Sequence, residues 1–509
     1  MNNPLNFSDQ DISQIEEHGL SAADVEQQIE AFRKGFLPVK LMDAATCDNG
    51  IIVLSDKEQK SFVRQFEANA AEYDMAKFVP ASGAATRMFR DLFAARLAVS
   101  KGDHLPAGAV RFFENISRFA FYGELSDCLQ KQGLDLNTLL TEKNYLPILN
   151  TLLDADGLNF GAKPKAFIPF HSYGNTARTA LEEQIAEGLA HAVGADRIVN
   201  IHLTISEEHE KMFLDLKNTI LGGLGQEPKI DLAYSFQHKN TDTIAVDLNN
   251  NPVRNHDGKL VFRPGGHGAL LQNLNELNQE MVFVKNIDNI VPDRHREDTI
   301  WYKKVLGGFM MQLIDEIHSF LIMLDDGNVE ENDLNDMLVF AEEKLFCSIP
   351  PWMKESDPLE KMDFLYTVFN RPVRVCGMVK NEGEPGGGPF YTENSEGEIS
   401  LQIVESAQIQ LNDAQQKKIF ESSTHFNPVD LVCWLKDFNG DAFDLNDFSD
   451  PETGFVAVKS FEGHDIKAME LPGLWNGAMA DWITVFVEVP LSTFNPVKEV
   501  NDLLREMHL

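Results

Sequence analysis

The chain has 509 residues, 43% of them hydrophobic, so it can bury a large core and has the length of two or three domains or one elaborated domain. A formal net charge of −35 gives a surface that repels phosphate backbones, which argues against binding to nucleic acid polymers. A small phosphorylated ligand is still compatible with this charge, because it needs only a local patch of amides and cations.

The sequence has no run of eighteen or more apolar residues, and its first residues lack the basic start and apolar core of a signal peptide. We therefore expect a cytoplasmic protein that binds no membrane. The cysteines are scattered and form no C-x-x-C pair, so their spacing does not indicate a zinc site or a redox-active pair. We expect buried free thiols at the five positions, which are Cys47, Cys128, Cys347, Cys376 and Cys433.

Two amphipathic segments near the start predict helices, with Ser21 and Ser55 as their N-caps. We therefore expect residues 1–76 to form a helical N-terminal region. The apolar stretch "KFVPA" then predicts the first strand of a large domain over residues 77–435. Residues 88–163 have a mostly helical pattern and are expected to form an insertion in that domain.

From Pro164 onward, short strands rich in β-branched and aromatic residues, including "KAFIPFH" and "TIAVD", alternate with helical segments such as "TALEEQIAEGLAHAV". Such alternation is typical of an α/β fold, with helices on both faces of a mixed, mainly parallel sheet. We predict a three-layer α/β sandwich of this kind. Residues 436–509 are expected to form a C-terminal α/β extension that packs on the large domain.

The stretch "KFVPASGAATRMFR" runs from the first predicted strand into a cluster of small residues and then into a helix. In open α/β sheets, ligands bind beyond the carboxyl ends of the strands, where amides at a helix N-terminus attract anions. Small side chains at Ser82, Gly83, Ala84 and Ala85 would let a phosphate approach those amides, and Arg87 could clamp its oxygens. The alternative is a tight turn followed by a surface arginine.

Several segments carry a resemblance to a known superfamily. "PASGAATRM" resembles the glycine-rich signature of sugar nucleotidyltransferases, and "PKAFIPFH" resembles the Pro-Lys-Ala-Leu-Ile-Pro segment that completes it. "FRPGGHGALLQNL", "VFVKNIDNIVPD" and "FVEVPLSTFNPVKEV" are similar, in the same order, to segments of UDP-sugar pyrophosphorylases. The resemblance implies a GT-A-type, Rossmann-like nucleotide-diphospho-sugar transferase fold. The chain is also identified as a member of the family catalogued as domain of unknown function 4301.

The resemblance implies a reaction in which a sugar-1-phosphate attacks the α-phosphate of a nucleoside triphosphate, most simply UTP. The products are an NDP-sugar and pyrophosphate. By the same resemblance, the amides of residues 82–85 and Arg87 would hold the triphosphate, and Lys165 would bridge the two reacting phosphates. Lys498 matches a C-terminal lysine that reaches back toward phosphate, so Arg87, Lys165 and Lys498 are the expected catalytic cations.

Asp288 directly follows the apolar strand "MVFVKNID", which places its carboxylate at the carboxyl end of that strand. Mg²⁺ binds through one or two carboxylates together with phosphate oxygens, so one aspartate at this point could anchor it. The alternative is an aspartate that caps a turn.

The resemblance also implies which residues contact the rest of the substrate. The nucleobase is expected at three positions, namely Gln237, Gly265 and Gly266. The sugar hydroxyls are expected at four others, namely His267, Gly377, Glu405 and Asn427.

Two other functions remain open. A glycosyltransferase that consumes an NDP-sugar would share the fold, although Arg87 and Lys165 would then have no triphosphate to hold. A non-catalytic protein that binds a nucleotide sugar is favoured by Ala85, which stands where the signature usually has a glycine. A left-handed backbone at Ala85 would be strained.

Overall fold

The computed structural model describes residues 7–83, 85–223, 228–383 and 386–509. The chain folds into two compact units, each assembled from three separate segments of sequence. Unit 1 comprises Met1–Phe66, Phe236–Val282 and Val305–Val489, and unit 2 comprises Glu67–Ser235, Phe283–Lys304 and Pro490–Leu509. The linear boundaries expected after residues 76 and 435 stay a prediction.

The helices begin where capping residues predict. Ser21 accepts a hydrogen bond from the backbone N–H of Asp24, and Ser55 and Thr179 cap their helices in the same way. The α-helices of the described residues are α1 Asp9–Glu17, α2 Ala22–Lys34, α3 Asp56–Asn69, α4 Arg90–Lys101, α5 Ala107–Glu114, α6 Tyr122–Lys131, α7 Leu136–Thr141, α8 Tyr145–Leu153, α9 Ala180–His191, α10 Glu210–Gly223, α11 Leu271–Asn275, α12 Glu297–Asp325, α13 Glu331–Glu343, α14 Pro358–Phe369 and α15 Ala414–Glu421. Helices α4 to α8 confirm the mostly helical segment predicted over residues 88–163.

The strands are short, and most coincide with the predicted apolar segments. They are β1 Lys40–Ala44, β2 Ile51–Ile52, β3 Met75–Pro80, β4 Pro169–Tyr173, β5 Thr176–Thr179, β6 Ile198–Ile205, β7 Lys229–Phe236, β8 Asp242–Ile244, β9 Phe262–Pro264, β10 Met281–Lys285, β11 Val373–Lys380, β12 Gly388–Glu393, β13 Ile399–Val404, β14 His425–Phe426, β15 Asp430–Trp434, β16 Phe455–Phe461, β17 His464–Glu470 and β18 Ile483–Glu488. Strands β1 and β2 lie in the N-terminal region, which the sequence predicts to be helical. The sequence does not reveal these strands, because their few apolar residues give no clear alternation.

In unit 1 the largest sheet has the order β2, β18, β11, β15. Strand β18 pairs parallel with both β2 and β11, whereas β14 and β15 pair antiparallel with β11. A second, antiparallel sheet has the order β1, β12, β13. The central strands are apolar on both faces, since Val375, Leu431 and Val485 are each fully buried.

In unit 2 the sheet has the order β10, β3, β6, β7, and β3 and β6 run parallel. Phe78 on β3 and Phe283 on β10 are fully buried in its core. The mixed and mainly parallel α/β architecture confirms the predicted fold class. In such a sheet the loops that follow parallel strands lie at one edge. Ser82 comes shortly after β3 and therefore lies at that edge.

Two predicted strands do not join these sheets. The segment "TIAVD" contains β8, which pairs antiparallel with β9, and "KAFIPFH" contains β4, which forms a hairpin with β5. Both segments have the apolar residues of a buried parallel strand. A two-residue connection closes the hairpin between β4 and β5, and that local pairing takes precedence over the longer crossover that a parallel strand requires.

Three buried charges occupy the core of unit 2. The Nζ atoms of Lys77 and Lys285 lie 2.9 Å and 2.8 Å from the two carboxylate oxygens of Glu187. Lys77 and Glu187 are fully buried and Lys285 is 1% exposed. Burial lowers the pKa of Lys77 to about 7, although the carboxylate of Glu187 opposes this shift. The carboxylate therefore joins β3, β10 and α9 in the core.

Helix α12 is the one helix of the described residues that is long and apolar enough, by length and composition, to cross a membrane. However, 56% of its most apolar window is buried inside the protein. A Cβ atom at Gly308 would lie 2.1 Å from the carbonyl oxygen of Phe62, so α12 packs closely on α3 at this glycine. These contacts are those of a core helix.

Candidate functional site

The side chains of Lys165, Asp288 and Lys498 meet in unit 2, and we call them the lysine–aspartate cluster. The Nζ atom of Lys165 lies 2.8 Å from Oδ2 of Asp288, and that of Lys498 lies 3.2 Å from the same oxygen. Lys165 also donates a hydrogen bond to the carbonyl oxygen of Val497 at 2.9 Å. The structure thus joins three residues that the sequence separates by 123 and 210 positions.

Backbone contacts fix this cluster. Lys165 begins a short 3₁₀ turn, Lys165–Phe167, and Asp288 follows β10 by three residues. The carbonyl of Asp288 accepts a hydrogen bond from the N–H of Val497, and the side-chain oxygen of Asn289 accepts one from the N–H of Asn495. The C-terminal segment is therefore held against the residues that follow β10, and this places Lys498 beside Asp288.

Helix α9 also holds the residues that follow β10. Gln184 donates hydrogen bonds from its side-chain amide to the carbonyl oxygens of Asn286 and Ile287. Gln184 is itself fully buried, and its backbone carbonyl accepts from the ammonium of Lys77. The position of Asp288 thus depends on the buried charges in the core of unit 2.

The cluster is partly desolvated. The side chains of Lys165 and Asp288 are 15% and 9% exposed, whereas that of Lys498 is 53% exposed. Burial alone would raise the pKa of Asp288, but the ammonium groups of Lys165 and Lys498 hold that pKa below its ordinary value. Asp288 is therefore ionised at neutral pH.

The predicted phosphate loop adjoins the cluster. The carbonyl oxygen of Gly83 accepts a hydrogen bond from the N–H of Lys165 at 3.3 Å, and that of Ser82 accepts one from Ser206. Gly83 is exposed, and a Cβ atom added there would meet nothing within 4 Å. Ala84, predicted to be part of this loop, lies outside the described residues. The space beside Gly83 is thus open.

Two expectations for this corner need correction. The backbone N–H of Ala85 donates to the carbonyl of Lys163 at 3.0 Å, so it is engaged within the protein and not free for an anion. Ala85 is the first residue of a 3₁₀ turn and has no positive φ, so the strain expected there does not arise. The Ala85–Arg87 turn explains both results, because a right-handed turn suits alanine and uses its amide to close the loop.

Arg87 lies in this 3₁₀ turn and not on the first turn of a helix, since α4 begins at Arg90. Its side chain is exposed. Within the part of the chain that the structure describes, its guanidinium forms no ion pair or hydrogen bond. The guanidinium is therefore available to an anionic ligand.

The residues predicted to contact the nucleobase lie in unit 1, around Thr241. The side-chain amide of Gln237 donates to the hydroxyl of Thr241 at 3.3 Å, and a Cβ atom at Gly265 would lie 2.5 Å from the carbonyl of Thr241. Gly266 has a φ of +77°, a conformation that glycine adopts without strain. A side chain at Gly266 would also meet the carboxylate of Glu470. Both glycines are therefore required by the local structure itself.

His267 and Glu405, both predicted to contact the sugar, are neighbours in unit 1. The Nε2 atom of His267 lies 3.7 Å from Oε1 of Glu405, and its Nδ1 accepts a hydrogen bond from the N–H of Leu474. His267 is the main cause of the lowered pKa of Glu405, and burial opposes that effect. The ring of His267 stacks on Trp475 with 4.2 Å between centroids. Trp475 was missed by sequence reasoning, because no spacing links it to His267.

Gly377 and Asn427 are also brought together. The side-chain amide of Asn427 donates to the carbonyl of Gly377 at 3.1 Å, and its oxygen accepts from the N–H of Val429. The N–H of Asn427 donates to the carbonyl of Gly387, whose Cβ position lies 3.7 Å from Glu405. The four positions predicted to contact a sugar thus form two pairs that Gly387 connects within unit 1.

Asp288 is the residue of the lysine–aspartate cluster that could hold a divalent cation. Its carboxylate is ionised and lies at the end of a strand, as a magnesium anchor requires. Both oxygens already contact an ammonium group, and the two lysines exceed the one carboxylate in charge. The donor set therefore fits Mg²⁺ only when phosphate oxygens supply the other ligands.

The chain is similar to the solved structures of two enzymes. One is the UDP-N-acetylglucosamine pyrophosphorylase from Trypanosoma brucei in complex with inhibitor, at 13% identity and a TM-score of 0.47, covering 98% of this chain and 79% of that chain. Another is a variant of UDP-glucose pyrophosphorylase from Leishmania major in complex with UDP-glucose, at 13% identity and a TM-score of 0.43, with the same coverage. No curated protein matches the chain.

The sequence itself matches one family model. The match extends from residue 8 to residue 509 and so includes every segment that supplies a residue to the clusters above. The chain therefore belongs to the family described as Domain of unknown function (DUF4301).

Proposed function

We propose that this chain transfers a nucleotidyl group, uridylyl most simply, from a nucleoside triphosphate to a sugar-1-phosphate, giving an NDP-sugar and pyrophosphate. The observation that carries the proposal is the lysine–aspartate cluster. Its three members come from three separate motifs that resemble those of sugar nucleotidyltransferases, and each was assigned to phosphate or metal on that ground. The ammonium groups of Lys165 and Lys498 each lie within 3.2 Å of the carboxylate of Asp288.

Lys165 has the chemistry needed between two reacting phosphates. An ammonium group has three N–H donors, and Lys165 directs two of them to Asp288 and to the carbonyl of Val497. The third donor is left for a phosphate oxygen. Because the other two contacts fix the ammonium before substrate binds, it can stabilise charge that develops on the α-phosphate without reorganising.

The cluster carries two positive charges and one negative charge, which suits an anionic ligand. Lys498 is more than half exposed and can turn from Asp288 to a phosphate. Asp288 would then hold Mg²⁺, and the ion would neutralise charge on the phosphate oxygens. Without a nucleotide, the ammonium groups of the two lysines contact the carboxylate of Asp288 in place of the ion.

The proposal assigns the triphosphate to the open space beside Gly83. The exposed Arg87 has a free guanidinium, and in the described part of the loop Ser82 and Gly83 offer their backbone amides. The engaged N–H of Ala85 reduces the number of donors that the sequence suggested. For this reason we assign positioning of the leaving pyrophosphate chiefly to cationic side chains.

The roles of Gln237, Gly265 and Gly266 toward the nucleobase, and of His267, Gly377, Glu405 and Asn427 toward the sugar, stay part of the proposal. A carboxylate such as Glu405, ionised beside His267, can accept hydrogen bonds from two sugar hydroxyls. The side-chain amide of Asn427 already donates a hydrogen bond to the carbonyl of Gly377. A sugar hydroxyl would therefore have to replace that bond or bind to backbone groups next to Asn427.

Pyrophosphate release tests the reaction directly. We expect release from UTP that depends on a sugar-1-phosphate and on Mg²⁺, across a panel of sugar-1-phosphates and nucleotides. We also expect UTP with Mg²⁺ to raise the thermal midpoint, because a ligand at a hundred times its Kd stabilises the folded state by about 2.7 kcal/mol. Stabilisation without release would favour a non-catalytic binding protein. No shift with any nucleotide would contradict the proposal as a whole.

Gly83→Val tests where the phosphates bind. Because a Cβ atom at Gly83 meets nothing within 4 Å, we expect the free energy of unfolding to change by about 0.5 kcal/mol or less. The added side chain would fill the space proposed for phosphate, so we expect the affinity for UTP, measured by calorimetry, to fall at least tenfold. Gly83→Ala provides the matched variant and should have a smaller effect. Unchanged affinity in Gly83→Val would place the triphosphate elsewhere.

A further inference from the structure

Three side chains outside the residues assigned above converge in unit 1. Cys47 lies in the turn between β1 and β2, His425 begins β14, and Glu488 ends β18. Strand β11 aligns the last two, because its Lys380 pairs with His425 and its Met378 pairs with Glu488. We call Cys47, His425 and Glu488 the Cys–His–Glu cluster.

The turn that carries Cys47 is held in place. The N–H of Thr46 donates to the carbonyl of Asn49 at 2.7 Å, and the N–H of Asn49 donates back to Thr46 at 2.9 Å. The hydroxyl of Tyr391 donates to the side chain of Asn49. Cys47 is exposed, contrary to the expectation of buried thiols, which holds for Cys376 and Cys433. An exposed thiol is thus presented by an ordered turn.

The distances from Nε2 of His425 to the other two donor atoms are those of a metal site. The Nε2 atom of His425 lies 3.7 Å from the sulfur of Cys47 and 3.4 Å from Oε1 of Glu488, and all three atoms lie within 4.8 Å of one another. In tetrahedral zinc sites, bonds of about 2.3 Å to sulfur and about 2.0–2.2 Å to nitrogen and oxygen separate nitrogen from sulfur by about 3.6 Å and from oxygen by about 3.4 Å. An ion between these atoms would therefore require almost no movement of His425.

His425 is also oriented as a ligand. Its side chain is 3% exposed, and its Nδ1 lies 2.8 Å from the hydroxyl oxygen of Thr424, which can accept the Nδ1 proton. With the proton on Nδ1, the lone pair of Nε2 points at Cys47 and Glu488. Histidines that bind metals are usually held in this way by a hydrogen bond from the other ring nitrogen.

We propose that the Cys–His–Glu cluster binds a divalent transition ion of the zinc class, with a fourth coordination position toward solvent at Cys47. Sulfur and imidazole donors select such ions over Mg²⁺, which prefers oxygen. The site joins the turn after β1 to β14 and β18. It lies wholly within unit 1 and is independent of the proposed function.

Two other uses of these side chains fit less well. A nucleophilic cysteine is usually activated by a neighbouring cation, whereas the carboxylate of Glu488 lies within 4.8 Å of the Cys47 sulfur. A plain ion pair would leave the thiol without a role. Lys380, which also lies near Glu488, is 73% exposed at 3.7 Å from the carboxylate, so it holds Glu488 only weakly.

Cobalt and zinc titration of the purified full-length chain tests the proposal. We expect one equivalent of Co²⁺ to produce thiolate-to-cobalt charge-transfer absorption, and Zn²⁺, but not Mg²⁺, to abolish it by displacement. Cys47→Ser should remove the absorption and weaken Zn²⁺ binding, measured against a chromophoric chelator, at least tenfold. Thr424→Val should weaken Zn²⁺ binding by about 10-fold to 100-fold, the usual cost of losing a hydrogen bond to a ligating histidine.

Cys128→Ser is the matched control, because Cys128 is a half-exposed free thiol on α6 in unit 2. It should bind both ions like the unaltered chain. Because Cys47 is exposed, Cys47→Ser is expected to fold normally, and a thermal melt checks this. Absence of the absorption in the unaltered chain, or its persistence in Cys47→Ser, would overturn the proposal.

Discussion

Glu187→Gln is expected to lower the free energy of unfolding by about 3–5 kcal/mol, the usual cost of breaking a buried ion pair from one side. Glu187 presents one carboxylate oxygen to Lys77 and the other to Lys285, and all three side chains are buried. A glutamine amide offers one acceptor oxygen and one NH₂ group, so one ammonium would face donors. Urea denaturation at neutral pH measures the loss.

The pH dependence of this loss has a defined sign. Burial would raise the pKa of Glu187, but Lys285 and Lys77 hold it well below the ordinary 4.5. A carboxyl with a lowered pKa stabilises the folded state fully above its unfolded pKa, and this stabilisation is lost as the pH falls through the folded value. The difference between Glu187→Gln and the unaltered chain should therefore be largest at about pH 5–6 and shrink below about pH 4.5, and it should also shrink toward pH 7 and above, where Lys77, with its pKa lowered to about 7, loses its charge.

Glu208→Gln is the control for this variant. The side chain of Glu208 is 76% exposed and lies at 3.6 Å from His209, so its removal should change the free energy of unfolding by about 0.5 kcal/mol or less. A loss in Glu187→Gln no larger than that of Glu208→Gln would show that the buried charges contribute nothing net to folding.

Much of the fold could be predicted from the sequence, because hydrophobic pattern and caps are local signals. Strand β3, helix α9 with its Thr179 cap, and the helices of residues 88–163 all form where the pattern predicts them. The partners of the short strands were harder to predict from the sequence. Strand β8 has a buried apolar face like that of a parallel strand, and only its partner, β9, decides that it pairs antiparallel.

The sequence could suggest candidate residues one at a time, but it could not predict which side chains meet in the folded chain. Lys165 lies at the start of a predicted strand and Asp288 at the end of another, so each could be identified as a candidate. The sequence does not predict, however, that Asp288 contacts Lys165 and Lys498 when no nucleotide is bound. The Cys–His–Glu cluster has no spacing signal at all, because 378 residues separate Cys47 from His425. Lys77 and Glu187 resemble surface charges until the sheet and helix bury them together.

Lys165→Ala should reduce kcat by about 100-fold to 1,000-fold, the scale of losing one preorganised electrostatic group, while the KM for UTP changes less. The reason is that Asp288 and the carbonyl of Val497 hold the Lys165 ammonium before substrate binds, so its interaction would strengthen as charge develops on the α-phosphate. Steady-state pyrophosphate release with UTP and sugar-1-phosphate varied separately measures both constants.

Lys163→Ala is the matched control, since Lys163 is two residues away and its ammonium lies over the ring of Phe160 at 5.3 Å. It should leave kcat unchanged, and a thermal melt should show that both lysine variants are folded at the assay temperature. Arg87→Ala should behave differently from Lys165→Ala and mainly raise the KM for UTP. An exposed guanidinium that contacts the departing pyrophosphate would stabilise the bound substrate and the transition state alike.

Asp288→Asn separates the role of the metal anchor from that of the lysines. Its amide keeps a hydrogen-bond acceptor for Lys165 but loses the charge that would offset Mg²⁺, so we expect a lower kcat together with a higher Mg²⁺ requirement. Raising Mg²⁺ should therefore recover part of the activity of Asp288→Asn and none of that of Lys165→Ala. If both variants retain the kcat of the unaltered chain, the lysine–aspartate cluster is a structural ion pair, and the phosphates react elsewhere.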